Sequence, residues 1–187
     1  MNYYDKNKQE FINSTLDIDM SSLYSSFVCE LKKGARVLDI GCGPGRDLKY
    51  FTALGHEVIG LEPSRELAKF ARSHSGCEVL EETMQTAKLS GKFDGVWACA
   101  SLLHIPRREL SDVFTKIANI MNDGGIFYCS FKLGEFEGER NGRFFNDQTL
   151  ETIREYLPKS LSIKESWVTQ DKRPERDEKW LNLLLNR

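Results

Sequence analysis

The sequence predicts an α/β protein: a doubly wound, mostly parallel sheet with helices on both faces and an antiparallel hairpin at the carboxyl end. Three observations carry this reading. From residue 36 to residue 157 short apolar segments alternate with segments of helical period, the order that builds a parallel sheet under helices. A glycine-rich turn, Gly41-Cys42-Gly43-Pro44-Gly45, follows the first of those segments at once, at the end of the strand where open α/β sheets bind ligands. The last two apolar segments have no helical stretch between them, so they are expected to pair as an antiparallel hairpin.

The elements follow in order. Phe11, Leu16, Met20, Leu23, Tyr24, Phe27, Val28 and Leu31 recur mainly at spacings of three and four, which predicts helices with a break near 16–19. Lys32-Lys33-Gly34 then supplies the basic end and the glycine stop. Strands are expected at 36–40, 56–61, 77–80, 93–98 and 125–131, the last introduced by the turn Asn122-Asp123-Gly124-Gly125. Helices are expected at 47–54, closed by Gly55, at 64–72 with Ser64 as cap, at 107–121, and at 147–157 ahead of Pro158. Two final strands, 161–169 and 180–185, are joined by the charged turn 170–178. Trp97 and Trp167 read as core, and Trp180 as either core or pocket wall.

A chain of 187 residues with no internal repeat or low-complexity linker is expected to be one domain, 1–187. Net charge is −2, from 26 basic and 28 acidic residues, so no broad electrostatic attraction to nucleic acid is expected. Five scattered cysteines with no CxxC predict neither a zinc site nor a disulfide framework, but buried thiols in a reducing compartment. The polar amino terminus lacks a signal-peptide core, and no apolar run approaches the roughly 20 residues that span a bilayer. A cytoplasmic protein with no membrane partner is expected; oligomeric state is left open.

Glycine at such a turn adopts backbone angles that other residues avoid and lets a ligand approach the main chain. Glu62 closes the next strand, where a carboxylate accepts from ribose hydroxyls. A dinucleotide fingerprint needs a small residue at position 46, and the sequence has Arg46 there. Asp39, at the end of the first strand, would also repel a pyrophosphate but favours a cationic nucleoside. A nicotinamide cofactor, and with it an oxidoreductase, is the weaker reading.

VLDIGCGPG, the downstream Glu62-Pro63-Ser64 and the segment FDGVWACASLLH are similar to the class I S-adenosylmethionine (SAM) dependent methyltransferases, more narrowly to small bacterial members of the type 11 and tellurite-resistance groups. The resemblance implies a Rossmann-like, seven-stranded sheet over 34–187, with the last strand antiparallel, and an amino-terminal helical cap over 1–33. It places the methionine part of SAM on Asp39, Gly41, Cys42, Gly43 and Gly45, the ribose on Glu62, and the adenine near Pro63, Thr83 and Met84. Cys99, Ala100 and Leu103 would face the cofactor, and Tyr3, Tyr4 or Phe11 would cover it. S-adenosylhomocysteine (SAH) would be the product.

Methyl transfer from a sulfonium is an in-line displacement, so alignment supplies much of the acceleration. His104, just past the fourth strand, is the candidate base where the acceptor must lose a proton. The chain lacks the Asn/Asp-Pro-Pro-aromatic segment and the Pro-Cys nucleophile of nucleic-acid-modifying relatives, so a small-molecule acceptor is expected. The charged, glycine-rich insertion 132–146 reads as a long loop of the lid or binding type, with Arg143 and Phe145 as acceptor residues and Arg143 favouring an anionic group. A SAM-binding module without turnover and a protein methyltransferase remain alternatives.

Overall fold

The computed structural model describes residues 3–173 and 176–187, the side chains of Tyr3 and Lys6 excepted. Three short helices open the chain: α1 (Tyr3–Lys6), α2 (Lys8–Thr15) and α3 (Ser21–Val28). The expected break near 16–19 falls between the second and third. The chain then runs β1 (Arg36–Ile40), α4 (Arg46–Ala53), β2 (Glu57–Leu61), α5 (Arg65–Ser75), β3 (Glu78–Leu80), β4 (Phe93–Ala98), a 3-10 turn (Leu102–His104), α6 (Arg107–Ile120) and β5 (Met121–Lys132). It ends with β6 (Glu137–Arg140), β7 (Arg143–Asn146), α7 (Leu150–Arg154), β8 (Ser162–Gln170) and β9 (Lys179–Asn186).

Seven strands form one sheet in the order β3-β2-β1-β4-β5-β9-β8. The first five are parallel, and β9 runs antiparallel between β5 and β8. Period-two alternation gives the sheet two buried faces. Val37, Trp97, Tyr128 and Leu184 pack on one face against Tyr24, Phe27, Leu48 and Phe51 of α3 and α4. Leu38, Val96, Phe127 and Leu185 pack on the other against Leu110, Phe114 and Ile117 of α6. Strand order reverses between β1 and β4, so the crevice of such a sheet lies at their carboxyl ends.

Two expectations need correction. The insertion 132–146 is not an irregular loop: β6 and β7 pair as a hairpin, with Arg140 opposite Arg143. Its two-residue turn, Asn141-Gly142, has φ of 51° and 71°, the left-handed pair that a type I′ turn requires. The helix expected over 147–157 is α7 alone, because Asp147 and Gln148 are held in extended pairing with Phe136 and Lys132. Thr149 then opens the helix by a reciprocal bond with Thr152. The turn of 170–178 is described except at Pro174 and Glu175, which lie outside the described residues. No helix among the described residues is long and apolar enough to cross a membrane, and all five cysteines are free thiols.

Candidate active site

The loop after β1 is shaped by what surrounds it. Gly41 and Cys42 both donate their N–H to the Leu61 carbonyl, at 2.8 and 3.0 Å, which ties the loop to the end of β2. Gly41 has φ of 71°, and a Cβ there would lie 2.5 Å from Ser101 Cβ in the segment after β4. Gly43, at φ 54°, presents its missing Cβ to the Phe11 ring at 3.2 Å. Gly45 lines neither of the two cavities described below; its positive φ starts α4, and its bare face meets Ala71 of α5 at 3.0 Å. Cys42 is buried, with its thiol against the bare face of Gly60.

Three carboxylates lie beneath or beside this loop. Asp39 is buried, and its Oδ2 has no hydrogen-bond partner. Burial first, and then the neighbouring Asp47, hold its carboxyl well above the usual range. Asp47, at the start of α4, accepts from Tyr24 Oη at 2.5 Å, from Trp97 Nε1 at 2.8 Å, and from Arg46 Nε and Nη2. Burial alone would raise it, but the Arg46 charge and these donors keep Asp47 below its ordinary value. Glu62 is the third. Its Oε2 accepts from Gly43 N at 3.0 Å and its Oε1 from Ser64 N at 2.7 Å. Burial outweighs these two donors and pushes its carboxyl up to about 7.

Two adjoining cavities open here. One is lined by Glu62, Pro63, Thr83 and Met84 from the ends of β2 and β3. The other takes Cys42, Cys99 and Leu103 from the sheet ends, Arg143 and Phe145 from β7, and Trp180 from β9. Tyr4, Phe11, Gly41, Gly43, Ala100 and His104 line both and form the wall between them. Every residue read from the sequence as a site residue thus borders one cavity or both, except Asp39, which lies buried at the end of β1, and Gly45. Ala100 holds φ of 52° without being glycine, with its N–H on Ser130 Oγ at 2.9 Å; such strain persists where the surrounding structure over-determines it.

His104 ends the 3-10 turn after β4. Its Nδ1 is 2.7 Å from the Phe144 carbonyl and its Nε2 is 2.8 Å from Tyr4 Oη. Burial, helped by the Arg143 and Lys132 charges, lowers its pKa to about 4 despite the Phe144 carbonyl, so the ring is neutral. Phe145, 4.9 Å from the His104 ring, carries the Lys132 ammonium 5.1 Å and the Arg143 guanidinium 5.0 Å from its centroid. The sequence reading missed three parts of this site. Arg46 served there only as an argument against a dinucleotide, Asp47 only as a helix start, and Tyr4 only as a possible cover. No local pattern marks their roles, since Tyr24 and Trp97, which meet Asp47, are 23 and 50 positions away and His104, which meets Tyr4, is 100 away. The Tyr3 side chain, the other proposed cover, lies outside the described residues.

Residues 37–125 match the family model described as a methyltransferase domain. The ubiquinone biosynthesis O-methyltransferase of Xanthomonas campestris pv. campestris is 32% identical over an alignment of 108 residues, with 52% of this chain and 43% of that one covered. The chain therefore spans less than half the length of that curated relative. Among solved structures, 1,6-didemethyltoxoflavin-N1-methyltransferase of Burkholderia thailandensis, with its bound 1,6-didemethyltoxoflavin and SAH, superposes with a TM-score of 0.78 at 20% identity. That match covers 98% of this chain and 83% of the other. A TehB-like SAM-dependent methyltransferase of Corynebacterium glutamicum has a TM-score of 0.74 at 17% identity, covering 98% and 96%. Residues 37–125 thus resemble a methyltransferase domain, and the chain shares its fold with these solved SAM-dependent methyltransferases.

Proposed function

We propose that this chain, acting as one domain with 1–33 as a cap over the core, transfers the methyl group of SAM to a small-molecule acceptor by in-line displacement and releases SAH. The observation that carries the proposal is Asp39 Oδ2, a buried acceptor atom without a partner directly behind the glycine loop. An orphaned carboxylate oxygen in a dry setting is costly unless a cation or donor completes it. The ammonium of SAM is such a group, whereas a pyrophosphate there would add repulsion.

The remaining residues fit the rest of the donor. Glu62 would accept from the ribose hydroxyls beside Gly43, and Pro63, Thr83 and Met84 would enclose the adenine. The backbone of Gly41, Cys42 and Gly43 would run along the methionine part, with Cys99, Ala100 and Leu103 opposite. SAM supplies an electrophilic methyl on a positive sulfur. The chain's own part is to align it with the acceptor, to exclude water and to take up a proton at His104 Nε2.

The acceptor reading places Arg143 and Phe145 in the second cavity. Three cations over the Phe145 ring, Lys132, Arg140 and Arg143, give that wall a positive field and favour an anionic group on the acceptor. The unbridged thiols agree with a reducing, cytoplasmic setting. Nothing in the described lining of the site's two cavities favours a nucleic acid or a membrane over a small molecule.

The test is calorimetric titration of SAH against the wild-type chain and Asp39→Ala, with NAD as the comparison ligand. Binding of SAH, weakened at least tenfold by the substitution, is the expected result, since a hydrogen-bonded charge pair contributes about 1.5–3 kcal/mol. Full affinity in Asp39→Ala, or preference for NAD, would overturn the assignment.

A further inference from the structure

Building on the methyltransferase reading, we infer that the methyl acceptor is a phenol and that the side chain of Tyr4 occupies its place at His104. The inference starts from the two ring nitrogens. The Phe144 carbonyl, 2.7 Å from Nδ1, can only accept, so Nδ1 carries the ring proton. Nε2 of the neutral ring is then a lone pair turned to the cavity wall, and the Tyr4 hydroxyl at 2.8 Å donates to it.

The surroundings of Tyr4 complete an aromatic site. Its ring stands edge-on to Phe11, with centroids 5.0 Å apart at 74°, and the Arg143 guanidinium lies 5.9 Å from its centroid. Tyr4 and His104 both border the two cavities, so their hydrogen bond spans the junction between the proposed donor and acceptor sides. Tyr4 belongs to a four-residue helix outside the sheet. Side-chain bonds of Asp5 to Ser64, the cap of α5, and of Lys8 to Glu66 tie that region to the start of α5. The molecule thus contains a complete recognition site for a hydroxylated ring: an acceptor for the O–H, an aromatic edge and a cation over the face.

With a phenol in that place, its hydroxyl donates to Nε2. The phenol oxygen takes the methyl group with a lone pair, and the carbon–sulfur pair stays on sulfur. The hydroxyl proton passes to Nε2, and the imidazolium returns it to solvent. The products are an aryl methyl ether, SAH and one proton. A weakly basic histidine suffices, because the hydroxyl proton becomes strongly acidic as the new bond forms.

The test uses p-cresol, the free form of a tyrosine side chain, and toluene, which lacks the hydroxyl, with SAH bound. Calorimetry and the imidazole 15N resonances of His104 are followed in the wild type, Tyr4→Ala and Tyr4→Phe. Tyr4→Phe alone must shift the Nε2 resonance by removing its donor. Tyr4→Ala is expected to bind p-cresol about tenfold tighter than the wild type, and about tenfold tighter than it binds toluene, the difference one buried hydrogen bond makes. Only p-cresol should restore the wild-type Nε2 signal. Equal affinity for the two ligands, or an Nε2 resonance indifferent to Tyr4→Phe, would overturn the inference. A turnover arm separates it from its premise. Wild-type protein given SAM should convert p-cresol to 4-methylanisole, and methylation of p-toluidine in its stead would refute the phenol site while leaving the methyltransferase intact. Failure to bind SAH at all would refute the premise.

Discussion

The carboxyl of Glu62 gives the proposed site a proton-linked signature that can be worked out in advance. In the ligand-free protein burial raises it from 4.5 to about 7. Ribose hydroxyls donating to it favour the ionised form, so binding must first remove the proton from any protonated fraction. Affinity for a nucleoside is therefore constant above pH 7 and falls as pH drops below it. Between pH 8 and pH 5.5 the expected loss is about 30-fold, with close to one proton released per site at the lower pH. Adenosine is the ligand of choice, because it carries the ribose but no ammonium and so leaves Asp39 untouched. Calorimetry in buffers of differing ionisation enthalpy reads both affinity and proton release. Glu62→Gln should bind adenosine at least tenfold more weakly and without this pH dependence, since a hydrogen bond to a charged group contributes about 1.5–3 kcal/mol. The substitution also sets an amide N–H₂ against Gly43 N or Ser64 N, because both oxygens of Glu62 accept from backbone. The same shift acts on stability. The folded state holds a proton that the unfolded state has lost between pH 4.5 and 7, so stability falls across that window as pH rises, by roughly 3 kcal/mol, and is flat on either side. Adenosine affinity in the wild type that does not change between pH 5.5 and 8, or a slope that survives Glu62→Gln, would refute the reasoning.

Three further outcomes are expected. Tyr24→Phe removes the hydroxyl donor to buried Asp47 and should cost about 1.5–3 kcal/mol in urea unfolding; a loss below about 0.5 kcal/mol would mean that Arg46 and Trp97 satisfy the carboxylate without it. Gly41→Ala combines φ of 71° with a Cβ 2.5 Å from Ser101 Cβ, so beyond about 1–2 kcal/mol of backbone strain it must displace the segment after β4. Its melting temperature should fall and its SAH affinity collapse, and unchanged binding would show that the loop tolerates a side chain there. Arg143→Ala should weaken 4-hydroxybenzoate about tenfold more than it weakens p-cresol, because only the former adds a carboxylate for the guanidinium to the contact with the ring face. Equal effects on the two would refute an anionic-group contact for Arg143, and no effect on either would remove it from the acceptor site.

Most of the fold was legible because its signals are local. Apolar runs of strand length, helical spacing and glycine stops each depend on neighbouring residues, and together they placed β1, β2, β4 and α6 within a few positions. The loop Gly41–Gly45 and Glu62 could be read for the same reason, as strand-end chemistry at a fixed place in an α/β sheet. One local signal was overlooked: Asn141-Gly142 flanked by Arg140 and Arg143 is hairpin chemistry, and it turns the supposed loop into β6 and β7.

Which residues meet was a different matter. By itself the sequence determined an alternating α/β sheet, its glycine turn, and the acidic pair Asp39 and Glu62, because backbone geometry and hydrophobic period are written over spans of a few residues. Only the tertiary structure decided that Gly45 serves α5, that Asp47 gathers Tyr24, Arg46 and Trp97, and that the Tyr4 hydroxyl closes on His104 from 100 positions away. Those contacts are set by how the helices pack on the completed sheet, and burial there, more than any nearby residue, moves the proton affinities of Asp39, Glu62 and His104.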